Sequence, residues 1–128
     1  MKISEQNDFE VPMISEIQNH SVTVHDQRVE TSFFLGTETP ITDWSIRSSK
    51  IELQAIHGLP LDRYELLLIG TGLKFCSLAN DVISALSGKV QFEVMTTISA
   101  CRTFNIVAGE GRKVLVAGVL GESVVTKS

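Results

Sequence analysis

The residues best suited to chemistry fall in two short stretches, Gly70-Thr71-Gly72 and Met95-Thr96-Thr97, the second followed by Arg102. Each comes after a strand-like stretch, the apolar run Tyr64 to Ile69 in one case and the alternating Val90 to Val94 in the other. In an open α/β sheet, ligands collect beyond the carboxyl ends of the strands, where loop amides and helix N-termini point outward. Gly70, Thr71, Gly72, Thr96, Thr97 and Arg102 therefore make a candidate rim for a small anion or an acidic side chain, with Lys74 and Ser77 as further donors. Backbone amides would bind, and Arg102 would supply the one charged contact. A purely structural explanation stands beside this one: the glycines allow a tight turn and the threonines cap helices.

Other chemistry is weakly represented. Gly70-Thr71-Gly72-Leu73-Lys74-Phe75 has the first two glycines of a dinucleotide fingerprint but phenylalanine in place of the third, and no Walker lysine and hydroxyl pair follows. Cys101 precedes Arg102, and a nearby cation can lower a thiol pKa. Adjacent helical residues nevertheless point about 100° apart, and Cys101 falls on the apolar stripe, so a buried structural thiol is expected. His20, His25 and His57 have no ligand spacing to each other or to the cysteines. Glu110 is expected in a surface ion pair with Arg112 or near Arg102. No catalytic residue, metal or cofactor is expected.

The elements that must position the rim can be read around Tyr64 to Ile69, a nearly unbroken apolar run closed by a Gly-Thr-Gly turn. Such a run is a central strand buried on both faces, and it needs helices above and below. Val11, Ile14 and Ile17 lead into a hairpin formed by Ser21 to His25 and Arg28 to Leu35, its turn at Asp26-Gln27. That turn lacks the glycine that a tight type I′ loop prefers, so a slightly longer loop is expected. Ile41 to Arg47 reads as a short strand in which Trp44 anchors a sheet edge.

Three helical segments follow the hairpin. Ser49-Lys50-Ile51-Glu52 has capping-box spacing, and Gly58 with Pro60 supplies a stop. Ser77 is the expected cap of a second helix bearing Leu78, Val82 and Leu86, ended by Gly88. Val90 to Val94 alternates, as a strand near an edge does. Thr96 or Thr97 caps the third helix, and Val114 to Leu120 is the last strand. Right-handed crossovers place the three apolar strands in one sheet, and the hairpin must extend that sheet or cover one face.

With 128 residues and 43% hydrophobic content, the chain fits one domain that can bury a core without staples. We expect a single α/β domain over residues 11–121, with loose tails at 1–10 and 122–128. The net charge of -4 offers no field for a phosphate backbone, so nucleic acid is not an expected partner. Cys76 and Cys101 are too few for a disulfide framework, and no stretch has signal-peptide or membrane-spanning character. A soluble, intracellular, cytoplasmic protein without direct membrane insertion is expected.

Leu68-Ile69-Gly70-Thr71-Gly72, then Val94 to Ile106 with its Ala-Cys-Arg-Thr core, then Glu110-Gly111-Arg112-Lys113-Val114 resemble the family of small domains that includes mitochondrial complex I assembly factor 3 and the adipogenesis-associated domain protein. The resemblance runs from about Ile14 through Leu120. It implies a three-layer α/β domain with a central mixed, largely parallel sheet. It also implies a protein partner among the subunits of a membrane complex, the respiratory NADH:ubiquinone oxidoreductase or another inner-membrane complex, reached from the soluble side. Thr96 stands where that family often has an acidic residue, and Phe104 where it often has tyrosine. Both changes remove polar groups from the rim and argue against acid/base chemistry. The alternative is a small-molecule or anion-binding protein, or a minor enzyme, using Gly70 to Gly72 and Thr96 to Arg102.

Overall fold

The computed structural model describes residues 11–46 and 50–120. Its centre is a five-stranded mixed sheet. Five strands of the chain build it: β4 (Phe33–Gly36), β5 (Thr39–Asp43), β6 (Leu66–Gly70), β7 (Gln91–Met95) and β8 (Val114–Gly118). The spatial order is β5-β4-β8-β6-β7. β6 pairs in parallel with β7 on one side and β8 on the other, and β4 joins β8 antiparallel. A smaller antiparallel sheet holds β1 (Ile14–Ser15), β2 (Val22–Val24) and β3 (Gln27–Val29).

The apolar run expected at Tyr64 to Ile69 forms β6 only from Leu66 on: Tyr64 ends a short turn before the strand and Glu65 is exposed, whereas all five residues of β6 are buried. Its alternation divides the core. Leu66 and Leu68 join Val114, Val116, Ala100, Cys101 and Phe104 on one face, together with Ile14, Val22 and Val24 from the small sheet. Leu67 and Ile69 join Leu115, Ala117, Val82, Leu86, Ile56 and Trp44 on the other. Helices α1 (Leu53–His57) and α2 (Asn80–Leu86) thus cover one face of the sheet, and α3 (Thr97–Gly109) with the small sheet covers the opposite one. Of the two options open to the hairpin, covering a face is the one realised. Asn105 fastens it there: its side-chain amide donates to the Ile14 carbonyl at 2.8 Å, and its Oδ1 accepts the Ile14 N–H at 2.9 Å.

Several local expectations need correction. The hairpin turn lies at His25-Asp26, one residue earlier, and is a two-residue loop, with Val24 paired to Gln27. Both turn residues take positive φ, 51° and 66°, which supplies the type I′ backbone without glycine. Its second strand stops at Val29, and Phe33–Gly36 belongs to the other sheet, in a second hairpin with Thr39–Asp43. Trp44 follows that strand instead of sitting within it; the ring is buried, and its Nε1–H donates to the Ala55 carbonyl at 3.1 Å. Ser49 lies outside the described residues, but Lys50 to Glu52 is not helical and α1 starts at Leu53. Ser77 does not cap α2, whose N-cap is Ala79 with no side-chain hydrogen bond. Arg112 pairs with Glu65 at 3.6 Å and not with Glu110. No helix among the described residues is long and apolar enough to cross a membrane.

Cys101 gives a test of this packing. It lies fully inside, and loss of hydration pushes its thiol up from 9.0 to about 12. The neutral thiol is thus favoured by folding. That contribution is complete below pH 9, where the unfolded thiol is also neutral, and is lost as pH rises from 9 toward 12. Ellman's reagent should label one thiol in the native protein, the exposed Cys76, and two in denaturant. Rapid native labelling of both would show that the helix does not seal Cys101. Chemical unfolding should lose stability above pH 9 at a slope that Cys101→Ala reduces.

Candidate functional site

The topology makes one crevice. The loop after β6 runs to α2 on one face, and the loop after β7 runs to α3 on the other, so the space beyond β6 and β7 is where this class of sheet holds ligands. The two loops read as a rim meet there, because the two strands pair directly with Gly70 opposite Met95. Gly70, Thr71, Gly72, Thr96 and Thr97 bond within the protein, Gly72 to Thr97 and the others chiefly to neighbouring residues of the loops and of the chain after β8.

Thr97 sits at the middle. Its hydroxyl donates to the Val119 carbonyl at 2.8 Å and accepts the Gly72 N–H at 2.9 Å. Its own N–H donates to the Gly72 carbonyl at 3.1 Å, and the Thr71 N–H goes to Met95 at 2.9 Å. Thr71 Oγ1 donates to the Lys74 carbonyl at 2.7 Å and accepts the Cys76 N–H at 3.1 Å, which folds the loop after Gly72 into a compact turn. Gly72 has φ 106°, so glycine is required there. Thr96 is the helix cap, accepting the Ser99 N–H at 3.3 Å. The amides of Thr71, Gly72 and Thr97 therefore already have acceptors within the protein.

The close fit needs two missing side chains. A Cβ on Gly70 would lie 2.6 Å from Thr97 Cα and 2.8 Å from its Oγ1. One on Gly118, the residue paired with Gly70 on β8, would meet Thr97 Cγ2 at 3.0 Å. Gly118 and Val119 were not foreseen as part of the rim. A signal for them exists: Leu-Leu-Leu-Ile-Gly and Val-Leu-Val-Ala-Gly are two buried strands ending in glycine at the same register.

The charged part of the rim is looser. Arg102 is exposed on α3 and has no ion pair among the described residues. Lys74 and Ser77 are exposed in the loop after Gly72. In the same loop Phe75 is 59% exposed and Leu73 is 40% exposed. Beside this loop, Lys50, Ile51, Thr71, Cys76, Ser77, Leu78 and Ala79 line a shallow hollow of about 330 Å³. Among the described residues no group of three or more His, Cys, Asp or Glu side chains could hold a metal ion.

Fold and site together define a mixed α/β domain whose strand-end crevice is closed by a threonine seated on two glycines. Residues 14–118 match the family described as "Protein of unknown function (DUF498/DUF598)", and the chain belongs to that family. This agrees with the resemblance carried by the Gly-Thr-Gly and Ala-Cys-Arg-Thr stretches. Solved relatives share the fold. A Xanthomonas campestris protein aligns with TM-score 0.78 at 24% identity, covering 95% of this chain and 94% of its own. A Bordetella parapertussis protein aligns with TM-score 0.70 at 26% identity, covering 86% and 96%. A Bordetella pertussis protein described as a Mth938-like domain aligns with TM-score 0.71 at 23% identity, covering 84% and 85%. Among curated proteins, none matches the chain.

Proposed function

We propose that this chain is a protein-binding module that helps assemble or stabilise a membrane-bound respiratory complex, acting from the soluble side without entering the bilayer. One observation carries the binding role. The crevice that would hold a small ligand is filled by Thr97, while the loop folded by Thr71 holds Leu73 and Phe75 out toward solvent. An exposed aromatic on an ordered loop is the kind of anchor that protein interfaces use. The respiratory partner, with NADH:ubiquinone oxidoreductase as the first choice, rests on the family resemblance to complex I assembly factor 3.

The test is purification of the tagged protein from its own cell, with native-gel assay of complex I in a deletion strain. Recovery of respiratory subunits, lost with Phe75→Glu, together with reduced complex I on deletion, is the expected outcome. Normal complex I with no respiratory subunits recovered would sink the proposal. Arg102, exposed and without an ion pair among the described residues, favours a second reading as an anion site. Titration with inorganic phosphate, followed at the amides of Gly70, Gly72 and Thr97, separates the two. A saturable shift that Arg102→Gln removes supports the anion site; no shift at millimolar phosphate removes it.

A further inference from the structure

β7 is the last strand of the main sheet, and among the described residues nothing pairs with its outer side. A strand edge of this kind presents unpaired N–H and C=O groups, and natural proteins usually blunt it with proline, lysine or a bulge. Gln91-Phe92-Glu93-Val94-Met95 has no proline, no lysine and an unbroken parallel register with β6.

Which groups face outward follows from one hydrogen bond. The Met95 carbonyl accepts the Thr71 N–H, so it points inward toward β6. Backbone groups alternate along a strand, which turns Gln91 and Glu93 inward as well and leaves Phe92 and Val94 directed at the free edge. Apolar surface accompanies that edge. Phe92 and Val94 are half-buried, and the Thr103 hydroxyl contact with Met95 Sδ at 3.7 Å places that side of α3 above β7. Ile106, one turn further along the same side, is 63% exposed.

We infer that β7 is the contact strand of a homodimer, pairing antiparallel with β7 of a second copy about a two-fold axis at Phe92. A two-fold contact must be self-complementary, and this strand is so in that register. Phe92 faces its own copy, Val94 faces Val90 of the second chain, and Glu93 faces Gln91, whose amide can donate to the carboxylate. Four hydrogen bonds close the seam: each Phe92 N–H to the opposite Phe92 carbonyl, and each Val94 N–H to the opposite Val90 carbonyl. The Val90 N–H is already engaged with Leu86 at 3.3 Å and adds none. A two-fold axis at Glu93 would give as many bonds but would set the two Glu93 carboxylates directly opposite each other, which is unfavourable. Charge therefore selects the Phe92 register, and self-pairing needs no residue from another protein.

Sedimentation equilibrium of the full chain from micromolar to millimolar concentration is the test. A monomer–dimer equilibrium is expected, with Gln91→Lys tightening and Gln91→Glu loosening the dimer, each by about five-fold in Kd through two symmetric pairs. Val94→Pro should give a folded monomer, since the N–H it removes points away from β6. Circular dichroism confirms that each variant is folded. A chain that stays monomeric at millimolar concentration overturns the inference and leaves the edge to a strand of another protein. So does a dimer whose Kd is unmoved by either Gln91 variant, because its interface must then lie elsewhere.

Discussion

Gly70→Ala should destabilise the protein by about 3 kcal/mol, toward the upper end of what overpacking a core costs. The added methyl group would lie 2.6 Å from Thr97 Cα, a contact that real Cβ atoms do not show. The obstacle is backbone, and no rotamer change relieves it. Either the first turn of α3 lifts away from β6, or the strand end bends; both disturb the hydrogen bonds that Thr97 makes to Gly72 and Val119. Gly109→Ala is the control, because a Cβ there meets nothing within 4 Å and alanine favours a helix by roughly 0.5–1 kcal/mol. Urea unfolding of both variants checks the pair. A Gly70→Ala protein within about 0.5 kcal/mol of wild type, the range of an unremarkable surface change, would show that the seat for Thr97 is not tight.

The parts of this fold written in hydrophobic pattern were legible. Tyr64 to Ile69 reads as an interior strand because the run is nearly unbroken in its apolar character, and Leu66–Gly70 is that strand; Val90 to Val94 alternates, and Gln91–Met95 lies at the edge. The parts set by tertiary contact were not. Phe33 to Gly36 continues the pattern of the preceding strand, and nothing local says that the chain changes sheets between Val29 and Phe33. Asn105 looks like an ordinary helical asparagine, yet it holds the small sheet to α3 through Ile14, 91 residues away. Ser77 and Ser49 have cap chemistry at sequence level, but caps depend on where the helix begins, and tertiary packing starts α2 at Asn80 and α1 at Leu53.

The rim was legible as a place more than as a mechanism. Gly70 to Gly72 and Thr96-Thr97 were expected to be neighbours because successive parallel strands bring their following loops together, and Gly70 does lie opposite Met95. Glycine followed by threonine reads equally as an anion cradle or as a packing device, since both use small residues and hydroxyls. The distances show what the sequence does not: the Gly72 N–H lies 2.9 Å from the Thr97 hydroxyl, so this amide already has an acceptor inside the protein. Gly118 completes the seat from a strand nearly 50 residues further on, a pairing that required the β6–β8 register.

Thr97→Val keeps the shape of the side chain and removes only its hydroxyl, so it isolates the polar part of the seat that Gly70→Ala crowds. Thr97 is 3% exposed, and both partners of its hydroxyl, the Gly72 N–H and the Val119 carbonyl, belong to buried residues. Valine leaves a donor and an acceptor unsatisfied away from water, at about 1–3 kcal/mol for each. A loss of roughly 2–4 kcal/mol is expected, with the two penalties partly shared if a water enters. Thr97→Ser retains the hydroxyl and deletes the methyl that rests near Gly118, and should cost only about 0.5–1.5 kcal/mol. Hydrogen exchange gives the local readout: the Gly72 amide should exchange faster in Thr97→Val than in Thr97→Ser. Because Gly72 starts the loop that carries Leu73 and Phe75, the valine variant should also bind a partner at that loop more weakly than the serine variant. Equal stability of the two variants, with Gly72 equally protected in both, would mean that shape alone closes the crevice and that the threonine hydroxyl contributes little.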